Sequence, residues 1–238
     1  MKRIALAILA LAGLAHADIT YDNFGANNSY TTSGYIVNGP TQAAVWWTHA
    51  FPFVATATGE ISDISLSLIH SGGTNRYHVE LRADAPGPGV LLAYLGQTPG
   101  ATLFGSVAHL DTNPGGFVVA GQRYWIYVRG DADANGSWQH SPIPGGVRAY
   151  SHNGGFTFES QSLTGSAGKG AMRIEVTPPA CYANCDESAG SPRLTANDFA
   201  CFLSAYSSGQ SYADCDGIGG LTANDFVCFL TSYNDGCP

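Results

Sequence analysis

Leu194-Thr195-Ala196-Asn197-Asp198-Phe199-Ala200-Cys201-Phe202-Leu203 returns 27 residues later as Leu221-Thr222-Ala223-Asn224-Asp225-Phe226-Val227-Cys228-Phe229-Leu230. One position in ten differs, Ala200 against Val227. Identity of that density marks an internal duplication, so the segment holds two copies of one supersecondary unit. Each copy reads as a loop followed by a helix. Thr222 fits an N-cap, with Asp225 three residues on as the reciprocal member of a capping box, and Thr195 with Asp198 does the same. Phe226, Phe229, Leu230 and Tyr233 then fall on one helical face, and Phe199, Phe202, Leu203 and Tyr206 repeat that stripe. Two such faces can bury each other, whereas neither can bury itself.

The loop before each helix holds the specific chemistry. A hard cation such as Ca²⁺ takes about six to eight oxygens at ~2.3–2.6 Å, and an EF-type loop supplies them from positions 1, 3, 5, 7, 9 and 12. In the second unit Asp214 takes position 1, Asp216 position 3, Gly220 position 7 through its carbonyl, Thr222 position 9 and Asp225 position 12. Gly219 falls at position 6, where the loop must turn sharply, and Ile218 at position 5 has no side-chain oxygen. The first unit has three extra residues between Asp186 and Leu194; Asn184, Asp186 and Asp198 are its candidate ligands, helped by Ser188 or a loop carbonyl. Asp198 and Asp225 serve equally as helix caps. Asp214 and Asp216 have no capping role, which leaves cation binding as their use.

An Asp at position 12, a duplicated loop-helix unit and no entering helix together resemble the type I dockerin module. The similarity is greatest to its cysteine-rich form, which ends as this chain does in Gly236-Cys237-Pro238. The resemblance covers about 181–238. It implies Ca²⁺ as the bound ion and a cohesin-like receptor or surface scaffold protein as the partner.

Cysteine usage sets the same segment apart. All six cysteines, Cys181, Cys185, Cys201, Cys215, Cys228 and Cys237, lie in it. An even count in a short exported segment reads as a disulfide framework, which stabilises a module too small for a large core. Six cysteines allow 15 pairings. Unit symmetry favours Cys185 with Cys201 and Cys215 with Cys228, leaving Cys181 with Cys237 to clasp the ends. Charge divides along the same line: seven acids against Arg193 alone give this segment −6 of the formal net −8. Pro178-Pro179-Ala180 marks the joint, since neither a helix nor a central strand continues through it.

Residues 18–177 read differently. Ile64, Leu66 and Leu68 alternate with serines; Tyr77, Val79 and Leu81 alternate with His78, Glu80 and Arg82. The same holds for Tyr124, Ile126 and Val128, and for Met172, Ile174 and Val176. Period two predicts strands with one set in the core and the other outside. Clusters such as Ser71-Gly72-Gly73 and Pro86-Gly87-Pro88-Gly89 punctuate them. Many short strands with such turns predict an all-β sandwich, jelly-roll-like, ahead of the small α-helical disulfide-bonded module. Tyr21-Asp22-Asn23-Phe24, Gly121-Gln122-Arg123-Tyr124-Trp125 and Gly170-Ala171-Met172-Arg173-Ile174 resemble the choice-of-anchor domains of exported bacterial proteins. That resemblance implies a β-sandwich of unassigned activity joined to a surface anchor, and brings no catalytic residues.

The N-terminus has the pattern of a secretory signal peptide over residues 1–17: Lys2 and Arg3, an apolar run from Ile4 to Leu14, then Ala15-His16-Ala17. Eleven apolar residues are too few for a bilayer, which takes about 20. The expectation is a secreted protein, extracellular or at the cell surface, with no membrane span. Only 10 of 238 residues are Lys or Arg, which disfavours nucleic acid as a partner.

Catalytic signals in the β region are weak. Asp131-Ala-Asp133-Ala-Asn135-Gly136 resembles half a calcium loop, but position 12 is Pro142, so a hairpin tip with Asx turns is expected. The six histidines there, His49, His70, His78, His109, His140 and His152, have no zinc-site spacing. Glu80, Asp84 and Glu159 could serve a glycoside hydrolase only if the fold brings them together. Trp125, Tyr127 and Trp138, with Trp46-Trp47, are the candidates for stacking on a sugar ring; the favoured reading is that the sandwich faces or a neighbouring loop bury them, since aromatics are common strand formers. The reading favoured is a non-catalytic β-sandwich attached through its tail. A glycan-binding module with the same attachment is the second reading and a polysaccharide hydrolase the third.

Overall fold

The computed structural model describes residues 17–112, 115–178, 181–188, 192–216 and 220–237. Most of the signal-peptide segment, residues 1–16, lies outside them, as do Pro179 and Ala180 of the joint. The chain divides into two compact units, one ending at residue 179 and the other beginning at 180. No helix among the described residues is long and apolar enough to cross a membrane.

The first unit is a β-sandwich-like, β-rich fold. Its strands are β1 (Asp18–Asp22), β2 (Gly34–Asn38), β3 (Thr48–Val54), β4 (Gly59–Leu66), β5 (Leu68–Gly72), β6 (Tyr77–Ala85), β7 (Gly87–Thr98), β8 (Ala108–Asp111), β9 (Phe117–Val118), β10 (Arg123–Gly130), β11 (Asn135–Ser151), β12 (Glu159–Gly170) and β13 (Met172–Thr177). One sheet runs β1-β13-β4-β8, with β9 also on β4. The other runs β12-β11-β3-β10-β6-β7, with β2 and β5 on the long β11. The ladders between these strands are antiparallel. One apolar core joins both sheets: Ile64, Leu66, Ile174 and Val176 from the first meet Phe51, Val79, Leu81, Ile126 and Trp138 from the second. Shortening a side chain there removes buried surface and leaves a gap. Ile64→Val is therefore expected to cost about 1 kcal/mol in urea unfolding, with an unchanged m-value.

Period-two alternation holds on β13, where Met172, Ile174 and Val176 are buried and Arg173 and Glu175 half-buried. It fails in the centre of the large sheet. Trp125 is 1 % exposed and Tyr127 0 %, although their neighbours Ile126 and Val128 fill the opposite, core face. A second apolar cluster of Ala50, Trp125, Tyr127 and Ala149, flanked by Val147 and Phe158, covers that outer face. Guanidinium groups complete the cover: Arg82 lies 4.8 Å over Tyr127 and Arg123 lies 5.2 Å over Trp125. Trp138 is a core residue, 0 % exposed, whose Nε1–H donates to Ala171 O at 3.0 Å. Burial of these rings, the reading favoured from the sequence, holds, and Trp125, Tyr127 and Trp138 are corrected as sugar-stacking candidates, since all three are shut from solvent.

On the first sheet, Asp63 of β4 stands opposite Asp111 of β8 and Glu175 of β13. Like charges directly across a sheet repel. Burial first, then Glu175 and Asp111, push the Asp63 carboxyl above its ordinary value, against the opposing pull of His109 and the Ser65 hydroxyl. A carboxyl raised in the folded state contributes stability at low pH, and this is lost as pH rises through the folded value. Asp63→Asn is expected to raise the melting temperature of the β-rich unit at pH 7. The difference should vanish below about pH 4, near the ordinary carboxyl value, in scanning calorimetry across pH.

The second unit contains α1 (Ala196–Ser207) and α2 (Ala223–Asp235). Both begin with the full capping box, Thr195 with Asp198 and Thr222 with Asp225. The helices pack about a local two-fold arrangement in which residues meet their own counterparts. Phe202 stacks on Phe229 with centroids 4.0 Å apart and planes 9° apart, and Phe199 meets Phe226 at 6.1 Å. Phe202 and Phe229 are 0 % exposed, so each contributes roughly 1.5–3 kcal/mol by burial. The stripe is not buried along its whole width, because Leu203 and Leu230 remain 41 % and 40 % exposed. The disulfides are Cys185–Cys201, Cys215–Cys228 and Cys181–Cys237, the pairing that unit symmetry favours.

Candidate metal centre

The capping geometry positions the position-12 carboxylates. Asp225 Oδ2 accepts the Thr222 N–H at 2.7 Å and the Thr222 hydroxyl at 3.2 Å; Asp225 Oδ1 accepts the Asp216 N–H at 3.2 Å. Asp198 repeats this with Thr195 at 2.7 and 3.3 Å and with the Asp186 N–H at 3.2 Å. Each carboxylate thus ties its loop to the first turn of its helix, where the helix dipole favours negative charge. The Thr222 N–H, chiefly, holds the Asp225 carboxyl below its ordinary value. The Ser188 hydroxyl and N–H do the same for Asp186.

Asp214, Asp216 and Asp225 each bring a carboxylate oxygen within 4.8 Å of the others. Oxygens bound at ~2.3–2.6 Å to one hard cation lie at most about 4.6–5.2 Å apart, so this set fits around a single ion. Among the described residues it is the one cluster of three or more His, Cys, Asp or Glu that does so. Asp214 Oδ1 is buried and has no hydrogen-bond partner. Asn184 Oδ1, at the equivalent place in the first loop, is buried and without a partner as well. The Asn184 amide nitrogen donates to Ser188 O at 3.0 Å, which fixes the amide and leaves its oxygen as the open atom. A buried oxygen left unpaired costs about 1–3 kcal/mol. A cation bound in each loop would give both position-1 oxygens a partner. The residues present therefore fit a hard divalent ion.

Other expected ligands divide. Thr222 Oγ1 accepts the Asn224 N–H at 3.2 Å, as a helix cap does. Gly220 has φ 87°, a conformation that suits glycine. Ile218 and Gly219, with residues 189–191 of the first loop, lie outside the described residues.

One feature of the repeat went unread in the sequence. Tyr182 Oη donates to Tyr212 O at 2.7 Å, Tyr212 Oη donates back to Tyr182 O, and the rings stack at 5.0 Å. Each tyrosine lies two residues before its loop's first ligand. The signal was available: Tyr182-Ala183-Asn184-Cys185-Asp186 recurs as Tyr212-Ala213-Asp214-Cys215-Asp216. The duplication thus begins before the loops.

In the β-rich unit the acidic candidates are engaged elsewhere. Asp133 accepts from the Thr74 N–H and hydroxyl at 2.9 and 2.5 Å, while Asp131 pairs with Arg76 at 3.4 Å. The expected hairpin tip is corrected: these residues turn the chain from β10 to β11, which do not pair with each other because β3 lies between them. Glu80 pairs with Arg82 at 2.8 Å and Arg129 at 3.6 Å. Asp84 accepts from Trp125 Nε1 at 2.7 Å, and Glu159 from Tyr150 Oη at 2.8 Å. Asp63, Ser65 and His109 do meet. Ser65 Oγ lies 3.0 Å from His109 Nδ1, and Asp63 lies 4.0 Å from that same nitrogen. A nucleophile relay needs the base to use its two nitrogens for the two partners, so this trio is not one.

No protein-family model matches the chain, and no curated protein matches it. The likeness of the tail to dockerins rests on its own residues.

Proposed function

We propose that the chain is an exported, non-catalytic protein whose β-rich unit is attached to an extracellular or cell-surface scaffold by a calcium-organised tail. The observation that supports it most is the pair of buried, unpartnered oxygens, Asn184 Oδ1 and Asp214 Oδ1, at matching places in two loops. Asn184, Asp186 and Asp198 would hold one ion. Asp214, Asp216 and Asp225, with the Gly220 carbonyl, would hold the other. A bound calcium neutralises the converging carboxylates and fixes each loop against its helix. The capping aspartates carry that order into α1 and α2. Leu203, Leu230 and Val227, the last 59 % exposed, then present apolar side chains outward. Exposed apolar side chains of this kind suit a protein partner, and a cohesin-like receptor is the class proposed. Three disulfides support an oxidising compartment, in keeping with export.

The test is retention of the full chain on the surface fraction of the source cells. Binding in calcium, release by a chelator, and loss of binding in a Leu203→Asp/Leu230→Asp variant that still binds calcium are expected. Retention that ignores both the chelator and the variant would refute the attachment.

A further inference from the structure

The face of β3 that sends Phe51 into the core continues past it onto β11 and β12. Strand register sets its rows. Tyr150 stands between His49 of β3 and Glu159 of β12, and Arg148 stands beside Gln161. The inner end is sealed, with His49 1 % exposed, while Glu159 and Gln161 are exposed. Trp47 extends the face, 6.0 Å from Tyr150 and 4.1 Å from His152. Tyr35 of β2 closes one side, with the Arg148 guanidinium 4.4 Å over its ring and 4.9 Å over that of Tyr150.

The polar groups are held in place. Tyr150 Oη donates to Glu159 Oε2 at 2.8 Å, and Arg148 donates twice to Gln161 Oε1, at 2.8 and 2.6 Å. His49 Nε2 donates to Ile36 O at 3.0 Å, so Nδ1 is a bare acceptor, and it is buried without a partner. His140, whose ring lies 4.2 Å from Tyr35, also has a buried nitrogen without a partner. Burial and then Arg148 push both imidazoles down, His49 to about 3, so they are neutral. The hairpin loop beyond Ser151 carries Phe156, 87 % exposed, and His152, also exposed.

This chemistry selects a ligand class. One guanidinium and one carboxylate balance, and His49 and His140 are neutral, so no net charge of these groups draws a phosphate or a polyanion. Flat rings offer apolar contact, and the guanidinium, amide and carboxylate at their rim donate and accept in fixed directions. A pyranose ring matches both, with an apolar C–H face and an edge of hydroxyls. We infer that this face binds a neutral saccharide, with Tyr150 and Trp47 as stacking rings, Arg148 and Gln161 as the polar fork, and Phe156 flanking them. The residues of this face all belong to the β-rich unit, and none of them is among the buried candidates Trp125, Tyr127 and Trp138.

The test is native-gel affinity electrophoresis of the full, oxidised chain. The gels contain xylan, mannan, mixed-linkage β-glucan or dextran as neutral probes and polygalacturonate as an anionic one. Retardation by at least one neutral polysaccharide is expected, weakened at least tenfold in Arg148→Gln and in Tyr150→Ala. It should be unchanged in Leu91→Ser on β7, a strand of the opposite sheet edge. Near-ultraviolet circular dichroism checks that each variant is folded, and Phe156→Ala, on an exposed loop, reads the same face if the other variants fail to fold. No retardation in any neutral gel, retardation by polygalacturonate alone, or retardation that the folded variants leave intact would overturn the inference.

Discussion

Chelation of divalent ions under oxidising conditions is expected to lower the melting temperature of the C-terminal unit by roughly 10–20 °C for each site emptied, and to leave the β-rich unit unmoved. Calcium at about 10 mM, a hundred times a dissociation constant of ~10⁻⁴ M, stabilises the folded state by about 2.7 kcal/mol per site. One kcal/mol shifts the midpoint of a domain this small by roughly 4–8 °C. The local charge acts in the same direction. Asp214, Asp216 and Asp225 converge within 4.8 Å, and without an ion their carboxylates repel one another. Scanning calorimetry of the full chain with calcium and with chelator reads both units at once. Identical profiles would remove calcium from the description of the tail.

The second large effect concerns Cys181–Cys237. This bridge spans 56 residues and closes nearly the whole tail, whereas Cys185–Cys201 and Cys215–Cys228 span only 16 and 13. In the chain-entropy treatment, closing a loop of that length is worth about 4 kcal/mol. A module under 60 residues has little more than that in total. Cys181→Ser/Cys237→Ser is therefore expected to abolish the cooperative transition of the tail, or to leave it only in high calcium. The two shorter bridges should still form and be found by peptide mapping. A variant tail that melts like the wild type would mean that the helix pair is held by its core alone.

The tail was readable because its information is local. Loop, cap and helix lie within the 22 residues from Asp214 to Asp235, and the second copy shows which residues matter. The disulfide pairing agrees with the one suggested by matching Cys185 with Cys215 and Cys201 with Cys228, although the sequence alone leaves 15 pairings open. The exposure of Leu203 and Leu230 was not readable, because the stripe shows which face turns inward but not how closely two stacked phenylalanines draw the helices together. In the β-rich unit, alternation identified strands but misplaced their outer side chains. Trp125 and Tyr127 look solvent-facing by period. Tyr127 is covered by Arg82 and Phe158, which come from distant parts of the chain, and Trp125 by Arg123 of its own strand. The aromatic face around Tyr150 escaped notice for the same reason. Tyr35, Trp47, Arg148 and Gln161 meet only through the pairing of β2, β3, β11 and β12, and no spacing in the sequence announces it.

The proposed attachment depends on calcium bound at the buried, unpartnered oxygens of Asn184 and Asp214. Isothermal titration of the full, oxidised, metal-stripped chain with calcium chloride tests it most directly, alongside Asp214→Ala and Asn184→Ala. Saturable binding, in or below the ~10⁻⁴–10⁻³ M range of extracellular modules, is expected, with a site lost or weakened in each variant. A featureless titration of the wild type to 10 mM (about ten times the weakest of those constants), or variants that bind as the wild type does, would contradict it.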